Sequence, residues 1–238
     1  MSATRRPQNA PCSASRAEYK KPKLIAPSGA CDTHLHVYGP SPIYPLATER
    51  NYTPDPRSTL DDYLRVHRAL GLERAVIVTG SANGTNNQVT LDSLARMGGK
   101  FKGLALLEPA IGHAELLRLK NSGITGFRVK SNGKGGLSFE SSKKISARVP
   151  GFNWHVEFLP QSMQEVIAAV PFLRTMAMPY VFDHVAHAEP GYDSGDHEFC
   201  ELLAILKKRG ARLDQSLQFL STIQIRPAGL RGYARYCP

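Results

Sequence analysis

Two histidines separated by one residue carry the most pointed chemistry in this chain. The run Cys31-Asp32-Thr33-His34-Leu35-His36-Val37 reads as a strand, and alternate side chains of a strand share a face, so His34 and His36 point together. Two imidazoles so placed can bind a divalent metal or polarise a carbonyl oxygen. A third imidazole, His184, stands in Phe182-Asp183-His184-Val185-Ala186-His187, at the end of another apolar run. Arg128-Val129-Lys130, with Lys134 just beyond, closes a further run, and cations there suit an anionic substrate. Lys130 and Lys134 read equally well as solvated loop charge; Arg128, inside an apolar strand, does not. Ser81, in Thr79-Gly80-Ser81-Ala82-Asn83-Gly84, can donate to a bound carboxylate or serve an ordinary turn. Glu157 shares a strand face with His155 and reads either as a mouth residue or as a buried ion-pair member. His67, His113 and His197 fall in helices or at their starts and read as surface residues.

These groups need elements to position them, and the pattern supplies an alternating series. Short apolar runs lie at Ala30–Val37, Arg74–Gly80, Phe101–Glu108, Gly123–Lys130, Trp154–Leu159 and Pro179–Val185. Amphipathic stretches fall between and after them at Thr59–Leu70, Asn87–Met97, His113–Asn121, Phe139–Val149, Gln161–Leu173 and His197–Arg209. In the fifth, Met163, Val166, Ile167, Val170 and Leu173 fall on one side of a helix, ready to cover a sheet. Strand–helix repeats of this kind build parallel sheets with right-handed crossovers. Six units at about 30 residues each fill residues 29–210, whereas eight such units close a barrel of roughly 250 residues. The expectation is therefore an α/β fold of incomplete barrel type, with the candidate residues at strand C-termini, where barrel active sites sit.

Composition narrows the function classes. The chain has 238 residues and a formal charge of +10. Residues 1–24 hold +5 and residues 211–238 hold +3, which leaves +2 on residues 25–210. Nucleic-acid binders carry their charge on a folded face, so the ends read as solvated and no nucleic-acid partner is expected. No apolar run approaches the roughly 18 residues that span a bilayer, and no apolar stretch follows Arg5 and Arg6 as in a secretory signal. Cys12, Cys31, Cys200 and Cys237 lack CxxC spacing, so neither a zinc knuckle nor a disulfide framework is expected. The cytoplasm is the expected setting.

The motifs Gly29-Ala30-Cys31-Asp32-Thr33-His34-Leu35-His36-Val37, Asn51-Tyr52-Thr53-Pro54, Val76-Ile77-Val78-Thr79-Gly80-Ser81, Gly126-Phe127-Arg128 and Phe182-Asp183-His184 resemble the second amidohydrolase-related group. More closely, they are similar to its 2-pyrone-4,6-dicarboxylate lactonases and related lactone hydrolases, over about Pro22 to Arg209. The resemblance implies a distorted (β/α)8 TIM barrel that opens a lactone or similar carbonyl compound by water attack. It implies that His34, His36 and His184 surround the carbonyl oxygen, directly or through one divalent metal (Zn or Mn), relatives differing on whether a metal is used. It places Tyr52, Ser81 and Arg128 as holders of substrate carboxylates, with Lys134 where the lactonases have a second arginine. Ala186-His187 stands where they have Gly-Arg, and Leu159 where they have tyrosine, departures that set the pyrone substrate itself apart.

The family's general base is an aspartate ending strand eight in a Gly-Thr-Asp-Trp-Pro segment, and this sequence contains no such segment. Such a base is commonly worth roughly 10²–10⁴-fold in rate. The expected organisation is a basic tail at 1–24, a partial barrel at 25–210 lacking strand eight and the native strand seven, and a non-family segment at 211–238. Codons can be chosen for Leu213 to Thr222 so that reading one base later gives a good strand followed by a loop arginine, so an out-of-frame C-terminus is the expected cause. The competing expectations are a metal-dependent decarboxylase of the same superfamily and a non-catalytic truncated product. The expected partners are a small anionic substrate and a second copy of the chain, without a membrane.

Overall fold

The computed structural model describes residues 21–130, 137–184, 197–209 and 212–213. Its contacts divide the chain into two compact units that part within the fourth strand, between Gly126 and Phe127.

In the first unit three parallel strands follow one another across the sheet: β1 (Cys31–Leu35), β2 (Arg74–Val78) and β3 (Phe101–Leu106). The start of β4 (Ile124–Lys130) follows β3, where the Gly103 amide donates to the Gly123 carbonyl at 3.2 Å. The helices α1 (Leu60–Leu70), α2 (Gln88–Met97) and α3 (His113–Asn121) alternate with these strands. Their limits follow from local chemistry. Thr59 accepts the Asp62 amide at 3.2 Å as the N-cap of α1, and Gly71 ends that helix at φ 70°, a left-handed conformation that glycine adopts without a Cβ clash. Ala75, Ile77, Val78, Phe101, Leu104, Ala105 and Leu106 are buried, as expected for parallel strands covered on both faces.

In the second unit the end of β4 is followed by β5 (His155–Leu159), β6 (Tyr180–Phe182) and a two-residue β7 (Arg212–Leu213), again in sequential order. Val156, Glu157 and Phe158 pair in parallel with Tyr180, Val181 and Phe182. The helices are α4 (Phe139–Ser146), α5 (Met163–Ala168), α6 (Val170–Thr175) and α7 (His197–Arg209). Stacked rings fill the core, with Phe139 and Phe158 centroids 4.7 Å apart and Phe158 and Phe182 at 5.6 Å.

Two details differ from the sequence expectation. The single helix read over Gln161–Leu173 is two, meeting at Ala169. Pro171 lacks an N–H, and its ring would strike the carbonyl of Ile167, so the helix cannot continue through it. The apolar stripe nevertheless holds: Met163, Val166, Val170 and Leu173 are all buried. The second difference is β7, whose Arg212 and Leu213 pair with Val181 and Phe182 where no strand was expected.

Candidate active site

The first unit holds the histidine pair. β1 carries an irregularity: Asp32 pairs with Ala75 and Leu35 with Ile77, three residues of advance on one strand against two on the other. Such a bulge re-aims side chains, and bulges recur beside active sites. Asp32 Oδ1 accepts the His34 amide at 3.1 Å, and Tyr63 Oη from α1 donates to Asp32 Oδ2 at 3.0 Å. Within the bulge and just past it, the His34 and His36 rings lie together, centroids 5.0 Å apart at 72°. His36 Nδ1 is 2.7 Å from the Val78 carbonyl at the end of β2. A carbonyl only accepts, so Nδ1 carries the proton, and a neutral His36 presents its lone pair at Nε2. That is the tautomer of a metal-ligating histidine whose other nitrogen is anchored to the backbone.

Around the pair lie hydroxyls. Tyr38 is buried, and its hydroxyl shares a hydrogen bond with that of half-buried Tyr52. Gly80, just beyond β2, makes room for this arrangement: a Cβ there would sit 2.1 Å from Tyr38 Oη. Ser81 follows directly, half-buried at the start of a single turn of 3₁₀ helix over Ser81–Asn83.

The second unit holds a buried ionic cluster. Arg128 on β4, 3% exposed, donates from Nε and Nη2 to Asp183 Oδ2 at 2.9 and 2.5 Å. Its Nε also lies 3.1 Å from Glu157 Oε1 on β5. One guanidinium thus faces two carboxylates, both buried, at neighbouring strands. His184 follows Asp183 with φ 51°, a left-handed conformation that costs a non-glycine residue on the order of 1–3 kcal/mol and clusters at functional sites. Lys130, at the end of β4, has its ammonium pushed below the ordinary lysine range, first by burial and then by the Arg128 charge.

The amidohydrolase family model matches residues 31–233. The chain belongs to the amidohydrolase family. A 4-sulfomuconolactone hydrolase of Rhizobium radiobacter is 33% identical over 184 residues, which cover 75% of this chain and 60% of the relative. A 2-pyrone-4,6-dicarboxylate hydrolase of Comamonas testosteroni is 30% identical over 196 residues, covering 81% and 63%. This amidohydrolase therefore spans roughly three fifths of the length of the curated relatives it matches. A crystal structure from Agrobacterium tumefaciens superposes with a TM-score of 0.74 at 23% identity, covering 91% of this chain and 79% of that one. More distantly, a zinc-bound amidohydrolase from Burkholderia multivorans gives a TM-score of 0.52 at 14% identity, covering 86% and 76%. The fold is that of an incomplete amidohydrolase-type barrel: the strand–helix series implies the partial barrel, and the family resemblance implies its type.

Of the site residues read from the sequence of this amidohydrolase, His34, His36, Tyr52 and Ser81 fall in the first unit, at or beyond the C-terminal ends of β1 and β2. Arg128 and His184 fall in the second, on β4 and just past β6. Lys134 and His187 lie outside the described residues. Glu157 is the buried ion-pair member of its two readings. His67 is not a surface residue: it is 7% exposed, its ring 5.2 Å from that of Phe101 and 5.5 Å from that of Tyr63, because α1 turns it toward the sheet. Sequence reasoning passed over Asp183 and Tyr38. The signal for Asp183 was a carboxylate ending an apolar strand, which needs a buried partner. Tyr38 had a fainter one, in phase with His34 and His36. No helix among the described residues is long and apolar enough to cross a membrane.

Proposed function

We propose that this amidohydrolase opens the ring of a lactone bearing a carboxylate or similar anionic group. Water oxygen bonds to the lactone carbonyl carbon, the ring C–O bond breaks, and the freed ring oxygen takes up a proton. The observation that carries the reading is the paired imidazoles at the β1 bulge, with His36 Nδ1 bonded to the Val78 carbonyl. His34 and His36 act on the carbonyl oxygen, joined by His184 from the end of β6; Tyr52 and Ser81 hold the substrate's anionic group. The names of the relatives, hydrolases of a sulfonated and a dicarboxylated ring, support the substrate class.

Arg128 has a different part from the one the resemblance gives it. Its guanidinium is buried and committed to Asp183 and Glu157, so it fixes those carboxylates and, through Asp183, the backbone that carries His184.

The donor set fits a divalent ion. In its neutral form His36 has a lone pair at Nε2, the kind of donor a divalent ion takes. His34, His36 and His184 would hold zinc or manganese. Bound, such an ion supplies the positive charge that polarises the carbonyl and acidifies water.

The test is ring opening by the purified chain, followed by product analysis, for the wild type and for His34→Ala and His36→Ala. Both variants are expected to lose on the order of 10²-fold or more in kcat/KM with their circular dichroism unchanged. Chelation is expected to abolish turnover, and added zinc or manganese to restore it. Turnover that persists in chelator would assign polarisation to doubly protonated histidines instead, with activity falling as pH rises. Release of carbon dioxide without ring opening would move the assignment to the decarboxylase reading.

A further inference from the structure

We propose that Tyr38 is a positioning residue that sets Tyr52 as a hydroxyl donor to the anionic group of the substrate. The inference rests on the reading above and deepens it by stating how the anion is held. Three observations carry it. The hydroxyls of Tyr38 and Tyr52 are hydrogen-bonded to each other, their rings meeting edge to face at 87° with centroids 6.3 Å apart. Tyr38 is held in place from both ends: its amide donates to the Ser58 carbonyl at 2.7 Å, and its hydroxyl packs into the space left by the missing Cβ of Gly80. The pair also stands among the other site residues. The Tyr38 ring lies 6.3 Å from that of His36, and Gly80 directly precedes Ser81.

Two phenols sharing one hydrogen bond can be ordered in either direction. If Tyr52 donated to Tyr38, its proton would be spent inside the protein and its oxygen would repel an anion. If Tyr38 donates to Tyr52, the Tyr52 proton points onward, and the chain Tyr38 to Tyr52 to anion polarises in one sense. Burial agrees with the second order, because it gives the onward-pointing proton to Tyr52, the less enclosed of the two phenols. An approaching carboxylate or sulfonate selects the same order, since a hydrogen bond to a charged acceptor is about twice as strong as a neutral one. Tyr38 thereby acts through Tyr52 without touching the substrate, and it discriminates between charged and uncharged lactones.

The experiment compares Tyr38→Phe, Tyr52→Phe and the double variant in the full chain, with 2-pyrone-4,6-dicarboxylate as the charged probe and dihydrocoumarin as the neutral one. Tyr38→Phe is expected to raise KM for the charged probe about three- to tenfold, with kcat within about twofold of the wild type. Its kcat/KM for the neutral probe is expected to be unchanged, and the double variant to be no worse than Tyr52→Phe alone, as for two members of one relay. A raised KM in Tyr52→Phe with none in Tyr38→Phe overturns the inference; so do additive effects, or equal losses on both probes. If the wild type opens neither lactone, the proposed function fails first and this inference falls with it. Should Tyr38→Phe lose its far-UV signal, Tyr38→3-fluorotyrosine keeps ring and hydroxyl while strengthening the donor. It is expected to lower KM for the charged probe, and an unchanged KM overturns the inference.

Discussion

At the scale of single residues, the site depends on what each polar group is bonded to. The His34–His36 pair was legible in the sequence because strand alternation needs only local spacing. The tautomer of His36 was not, because its partner is a backbone carbonyl 42 residues away. The same holds for Arg128: its apolar surroundings marked it, but its partners depend on which strands become neighbours. Once Asp183 and Glu157 face it, its removal leaves two buried carboxylates uncompensated. Arg128→Met is therefore expected to destabilise the protein by about 3–5 kcal/mol in chemical denaturation, a loss much larger than that of an exposed pair. Arg118→Met, which breaks the exposed pair with Glu115, is the comparison and is expected to change stability by less than about 1 kcal/mol.

At the scale of elements, the alternating strands and helices were legible wherever one period dominated over several residues. The series failed at Pro171, where a locally apolar stripe continues but the missing N–H does not allow one helix. It was silent on the β1 bulge, since a single extra residue leaves the hydrophobic pattern almost unchanged. The bulge is tied to α1 through Asp32 and Tyr63. Burial, followed by the Asp32 charge and the hydrogen bond to it, pushes the Tyr63 phenol far above its ordinary value near 10.0. The folded protein thus keeps that proton at pH values where the unfolded chain has released it. The folded state then binds more protons, so stability is fully present below about pH 10 and falls as pH rises beyond it. Tyr63→Phe is expected to flatten this alkaline decline in denaturation midpoints measured from neutral pH upward. An unchanged slope would show that the Asp32–Tyr63 contact does not govern it.

At the scale of the whole molecule, the charge distribution and the motif order pointed to a small-molecule enzyme, and the family match over residues 31–233 places the chain among the amidohydrolases. A Gly-Thr-Asp-Trp-Pro segment is not present, and the chain spans 60% of the length of the sulfomuconolactone hydrolase it resembles. Ring opening by this polypeptide is thus the central claim, and incubation with the lactones named for its relatives in heavy-oxygen water tests it most directly. Water attack predicts product formation above the uncatalysed rate with one heavy oxygen in the new carboxylate, lost together in His36→Ala. Product without heavy oxygen, or no product above the uncatalysed rate, would contradict it.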